Sequence, residues 1–134
     1  MARMIFVNLP VKDLAAATRF FTEIGFTVDQ RFTNGQGAAM VVEENIYVML
    51  LVEDFFRTFV TGEISDPAKG TEALFALSCD SRQQVDETLA KAIAAGGKPW
   101  RPVTEDGPMY GASFADLDGH VWELVHMDPA ALEG

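Results

Sequence analysis

Cysteine is nearly missing from this chain. Cys79 is the only one among 134 residues, so no intramolecular disulfide can form and a thiolate-rich zinc site is excluded. A reducing, cytoplasmic setting is the expectation that follows. Positive charge is also scarce: ten Lys and Arg stand against 20 Asp and Glu, for a formal charge of −10. Nucleic acid needs a basic face, so this balance argues against it as a partner; the charge serves either general solubility, the commoner case, or the steering of a cationic small molecule. Long apolar runs are absent. The longest, Ile46–Val52, has the length of a strand and not of a membrane span. Residues 1–7 are too short and too quickly polar for a signal peptide, so no membrane partner is expected. The sequence holds no P-loop, glycine-rich dinucleotide turn, nucleophile elbow or cysteine-rich metal motif.

What is there is globular: 49% apolar and 22% charged residues, in a length that suits one domain. We expect a single α+β domain over residues 1–134, with a first module (1–60), a connector (61–71), a second module (72–128) and a tail (129–134) that makes at most a frayed turn. In the first module a strand over Met4–Leu9 leads to Asp13, a helix cap. The helix buries Leu14, Ala17, Phe21 and Ile24 until Gly25 stops it. Strands over Phe26–Phe32, Gly37–Glu43 and Ile46–Val52 follow, with turns at Asn34-Gly35 and Glu44-Asn45. One or two helical turns over Glu53–Val60 bring Phe55 onto Phe59.

The second module repeats this programme. A strand over Glu72–Cys79 precedes a Ser81 and Gln84 capping pattern and a helix burying Val85, Leu89 and Ile93. Gly96-Gly97 ends it. Strands over Lys98–Val103, Tyr110–Ala115 and Val121–His126 complete the copy, with a loop through Asp106, Gly107 and Pro108 and a turn at Asp118-Gly119. Gly37-Ala38-Ala39-Met40 sets against Gly111-Ala112-Ser113-Phe114, and Met49 against Glu123, at a constant offset of 74 (111−37, 123−49). Phe6 to Asp13 sets against Leu74 to Ser81 at an offset of 68 (74−6). A whole programme repeated in order marks a duplication.

Side chains alternate along a strand, and each helix must cover one face of its strands. In the first module Ile5, Val7, Leu9, Val48 and Leu50 suit the helix side; Phe6, Asn8, Pro10, Tyr47, Met49 and Leu51 then face the concave side. In the second, Phe75, Leu77, Cys79, Trp122 and Leu124 go to the helix, and Leu74, Ala76, Ser78, Val121, Glu123 and Val125 face inward. Glu123 is the one charged member of the concave set, inside a Val-Trp-Glu-Leu-Val run otherwise fit for burial. A lone carboxylate taken from water is costly unless paired, protonated or bound to a cation. Glu123 is therefore a candidate metal ligand, general base or ligand anchor; otherwise it is satisfied by Asn8, Tyr110 or backbone amides. Tyr110 is either a pocket hydroxyl or a ring packed at a sheet edge. His120 and His126 share the parity of Trp122, and six strand residues separate them by about 20 Å, too far to share an ion. Cys79 reads as a small buried hydrophobe rather than a nucleophile.

The opening Phe-Val-Asn-Leu-Pro-Val-Lys-Asp-Leu (6–14), the closing Phe-Ala-Asp-Leu-Asp-Gly-His-Val-Trp-Glu-Leu (114–124) and the paired βαβββ units resemble the glyoxalase/bleomycin-resistance/dioxygenase superfamily, the vicinal oxygen chelate proteins. The resemblance spans essentially the whole chain, and lactoylglutathione-lyase-type proteins look nearest. It implies two tandem βαβββ modules forming a curved sheet around a small-molecule pocket, and a homodimer. Metal enzymes of the family place ligands at positions that fall here on Phe6, Met49, Leu74 and Glu123. Sites of this kind need three or four protein ligands. No cofactor is therefore expected, and a divalent metal held by Glu123 with His120 or His126 stands as the alternative. Glyoxalase I and extradiol dioxygenase chemistry are correspondingly disfavoured. Two functions remain: a divergent lyase or isomerase with Glu123 and Tyr110 as its catalytic residues, or metal-free sequestration of a cationic, drug-like ligand. Phe6, Asn8, Tyr47, Met49, Leu74 and Ala76 are the expected substrate-binding residues.

Overall fold

The computed structural model of the chain describes residues 2–132. Along it run β1 (Ile5–Val11), α1 (Leu14–Glu23), β2 (Thr27–Asp29), a 3₁₀ turn (Gln30–Phe32), β3 (Gly37–Glu43), β4 (Ile46–Val52) and α2 (Glu53–Arg57). There follow β5 (Leu74–Ser78), α3 (Arg82–Ala94), β6 (Lys98–Pro99), β7 (Thr104–Asp106), β8 (Met109–Ala115), β9 (Val121–Met127) and α4 (Pro129–Leu132). The fold is mixed α+β, and its contacts divide it into two units, Met1–Asp66 and Pro67–Gly134. No helix among the described residues is long and apolar enough to cross a membrane.

The two units are built by the same local devices. The Asp13 carboxylate accepts the Ala16 N–H at 3.0 Å, and the Ser81 hydroxyl accepts the Gln84 N–H at 3.0 Å. Each satisfies an otherwise orphaned donor in the first turn of a helix. Gln84 reaches back to the Asp80 N–H, closing the second cap. Gly25 and Gly96 end the helices at φ of +117° and +110°, backbone that side chains rarely adopt.

In the first unit the sheet order is β1-β4-β3-β2, with β1 parallel to β4; in the second it is β5-β9-β8-β6, with β5 parallel to β9 and β7 added to β8. The registers coincide. Phe6 lies beside Tyr47 and Asn8 beside Met49 in one; Leu74 lies beside Val121 and Ala76 beside Glu123 in the other. The change of offset from 68 to 74 also has a location. α3 is three residues longer than α1 (13−10), and the path from the helix-ending glycine to Gly111 within β8 is three longer than that to its equivalent Gly37 at the start of β3 (111−96 against 37−25).

Leu9, Val48 and Leu50 are buried in the first unit and Trp122 and Leu124 in the second, as alternation predicts; Ile5, on edge strand β1, is exposed instead, and Tyr47, Leu51 and Val121 of the other face are buried too. Five further details differ. The strand expected over Phe26–Phe32 ends at Asp29, whose carboxylate accepts the Arg31 N–H at 3.1 Å and starts the 3₁₀ turn. The strand expected over Lys98–Val103 stops at Pro99, because Pro99 and Pro102 have no N–H to pair. The loop expected around Asp106 instead begins with β7, which folds back on β8 past Gly107 at φ +60°. Ile93 is 37% exposed; α3 buries Val85 and Ala92, one side of the expected stripe. Phe20, outside the expected α1 face, is buried edge-on against Phe21. Of the tail, Pro129–Leu132 form one helical turn; residues 133–134 lie outside the described residues.

Candidate functional site

The β8–β9 pair is set by the turn that joins it. Asp116, only 6% exposed, accepts the Asp118 and His120 N–H groups on Oδ1 (2.9 and 3.0 Å) and the Trp122 indole N–H on Oδ2 (3.1 Å). Gly119 completes the turn at φ +88°. Burial pushes the Asp116 carboxyl above the ordinary carboxylate range, against the opposing pull of His120 and of the three donors. The equivalent position in the first unit is Val42 (116−74), where a register shift between Val41 and Glu43 takes up the slack. No local pattern marks Asp116 for this role beyond its place in Asp116-Leu117-Asp118-Gly119, which is the turn it holds.

With that turn fixed, Glu123 stands opposite Ser113 on β8 and beside Ala76 on β5. The face opposite α3 carries Gly111, Ser113, Val121, Glu123 and Val125 by alternation. A cleft of about 140 Å³ opens there, lined among others by Arg101, Thr104, Met109, Ser113, Glu123 and Val125. Glu123 is half-buried rather than sunk in the core as its apolar run suggested, because it opens into this cleft. Its side chain has no hydrogen bond or ion pair with any described residue. Ser113, 5% exposed, accepts the Arg101 N–H on its hydroxyl oxygen at 3.1 Å.

The expected partners of Glu123 are engaged elsewhere. Tyr110 borders the cleft, but its parity is that of Ala112 and Phe114, and its hydroxyl donates to Asp86 on α3 at 2.6 Å. Arg82 lies over the ring, 5.0 Å from its centre, and pairs with Glu105 of β7. The bond to Asp86 holds the Tyr110 phenol above its ordinary ionisation range. The Tyr110 hydroxyl therefore gives its hydrogen bond to Asp86 and not to Glu123. The Asn8 amide donates to the Phe6 carbonyl at 3.2 Å. His126 faces the α3 side beside Tyr110, and its Nδ1 lies 3.0 Å from the Cys79 carbonyl, an acceptor, so Nδ1 carries the proton. Burial pushes the half-buried Cys79 thiol up, away from thiolate chemistry.

In the first unit, Phe6 and Tyr47 stack with ring centres 5.1 Å apart. Phe6 is 49% exposed while Tyr47 is buried. Met49 is half-buried next to exposed Asn8. In the second unit, Leu74 and Ala76 lie on exposed edge strand β5.

Among the described residues no three of His, Cys, Asp or Glu gather where they could hold a metal ion. Phe6, Met49 and Leu74 supply no donor atom suited to a divalent ion. The donor set therefore does not fit the metal site that the family resemblance implies at those positions.

A family model for the Glyoxalase/Bleomycin resistance protein/Dioxygenase superfamily matches residues 3–124. Curated proteins yield no sequence match. Among solved structures, a hypothetical protein from S. aureus superposes with a TM-score of 0.80 at 24% identity, covering 94% of each chain. A glyoxalase/bleomycin resistance protein/dioxygenase family enzyme from Burkholderia phytofirmans PsJN gives 0.80 at 19% identity, covering 94% of this chain and 99% of that one. A fosfomycin resistance protein from Listeria monocytogenes gives 0.68 at 19% identity, covering 94% of this chain and 93% of that one.

Proposed function

Since the chain belongs to the glyoxalase/bleomycin-resistance/dioxygenase superfamily, we propose that it binds a small organic molecule in the second-unit cleft, with Glu123 as the polar anchor. The observation that carries this is a half-buried carboxylate with no hydrogen bond or ion pair to a described residue, facing a cleft with walls from Met109 and Val125. Such a carboxylate gains by pairing with a donor or cation on the ligand. If the protein is an enzyme, Glu123 is the base of a lyase or isomerase, taking a proton from carbon without a full metal site. Lactoylglutathione-lyase-type activity is the finer form of this reading.

The decisive experiment is a ligand screen by thermal shift, with binding located by backbone amide NMR. Ligands that perturb Ser113, Glu123 and Val125 and lose binding in Glu123→Gln support the proposal. Ligands that bind elsewhere and ignore that substitution refute it. Loading with Ni²⁺, Zn²⁺ or Mn²⁺ tests the metal reading: stoichiometric tight binding lost in Glu123→Gln would overturn the metal-free assignment.

A second reading is sequestration of a cationic, partly apolar ligand. The Phe6–Tyr47 stack and the charge of −10 favour it. A homodimer is proposed for either. β1 and β5 end their sheets with Ile5, Phe6 and Leu74 exposed, and apolar edges of that kind gain by being covered.

A further inference from the structure

Arg101 and Glu123 line one cleft with opposite charges. Neither side chain has a hydrogen bond or ion pair with a described residue, and they do not pair with each other. Ser113 adjoins both, bonded to the Arg101 N–H and facing Glu123 across the strand pair. Its oxygen already accepts a bond, so its hydroxyl proton is available to an acceptor on a ligand. Of the remaining walls, Pro102, Met109 and Val125 are apolar, and Thr104 and Tyr110 carry hydroxyls.

The cleft volume of about 140 Å³ equals roughly five waters at about 30 Å³ each, room for a ligand of about five to seven non-hydrogen atoms. A ligand with one charge would satisfy one wall and leave the other facing a like charge or nothing. We infer that the cleft takes a small zwitterion, an amino acid with its ammonium toward Glu123 and its carboxylate toward Arg101 and the Ser113 hydroxyl. This rests on reading the cleft as the binding site and adds the ligand class to it.

The test is titration of the full chain with glycine, β-alanine and 4-aminobutyrate, which vary the charge separation, against propylamine and propionate. Amide NMR reports the location, and calorimetry the affinity. At least one amino acid is expected to shift the amides of Gly111, Ser113, Glu123 and Val125. It should bind at least about tenfold more tightly than either singly charged control, a difference of about 1.4 kcal/mol. Glu123→Gln and Arg101→Gln should each remove that preference, with well-dispersed spectra showing that both variants fold. Propylamine binding as well as the amino acids, or Arg101→Gln leaving the preference intact, overturns the zwitterion while the cleft reading stands. Silence from every amino acid overturns it too; an unrelated compound then shifting the same amides would still support the cleft.

Discussion

Asp116 and Glu123 are carboxylates seven residues apart whose surroundings give them opposite tasks. Asp116 accepts bonds from three donors and holds the β8–β9 turn; Glu123 faces the cleft with no bond to a described residue. Asp116→Ala should lower stability to urea by about 2–3 kcal/mol, mainly because the buried Trp122 indole N–H loses its acceptor. Burial holds the Asp116 proton more tightly in the folded chain than the ordinary value of 3.8. This group's contribution to stability therefore falls as pH rises from 3.8 through the raised folded value, and is level beyond it. Urea midpoints of the wild type relative to Asp116→Asn should decline across that window and then run parallel. Tyr110 is tested separately. Ultraviolet titration should show its phenol ionising above 10, and Asp86→Ala should bring it back toward 10.

At the scale of elements, the duplicated helix starts make a paired prediction. Asp13→Ala and Ser81→Ala should each cost about 1 kcal/mol in chemical denaturation, because each removes one cap acceptor at equivalent places. An inequality well beyond that would mean the two units differ in stability more than their shared design implies. Gly119 tests the connection to the segment before β5. A Cβ there would stand 2.8 Å from the Pro67 side chain, on backbone at φ +88°. Gly119→Ala should destabilise by about 1–3 kcal/mol and speed proteolysis near Pro67.

At the scale of the molecule, duplication supplied two equivalent sets of strand positions, and the side chains on them have diverged. Phe6, Leu74 and Met49 are apolar where Glu123 is acidic. The charge of −10 should speed capture of cationic ligands at low salt, with association rates falling as ionic strength shortens the screening length. Light scattering tests the homodimer: a mass near twice 14.7 kDa is expected, and a monomer at working concentrations refutes it.

Periodicity, caps and glycine stops determined the order of elements, since these are local effects of backbone geometry and side-chain alternation. The sequence by itself determined which face Glu123 occupies, and, with the family resemblance, that Phe6, Met49 and Leu74 stand where relatives would need donors. It also showed the duplication, down to the offsets that the strand registers reproduce. Only the tertiary structure decided who touches whom. It committed the Tyr110 hydroxyl to Asp86, 24 residues away in sequence. It drew Asp116 into a buried turn, and it left the Arg101 and Glu123 side chains in one cleft without a bond to a described residue. Those outcomes depend on distance and competition among donors and acceptors remote along the chain, and no local pattern encodes them.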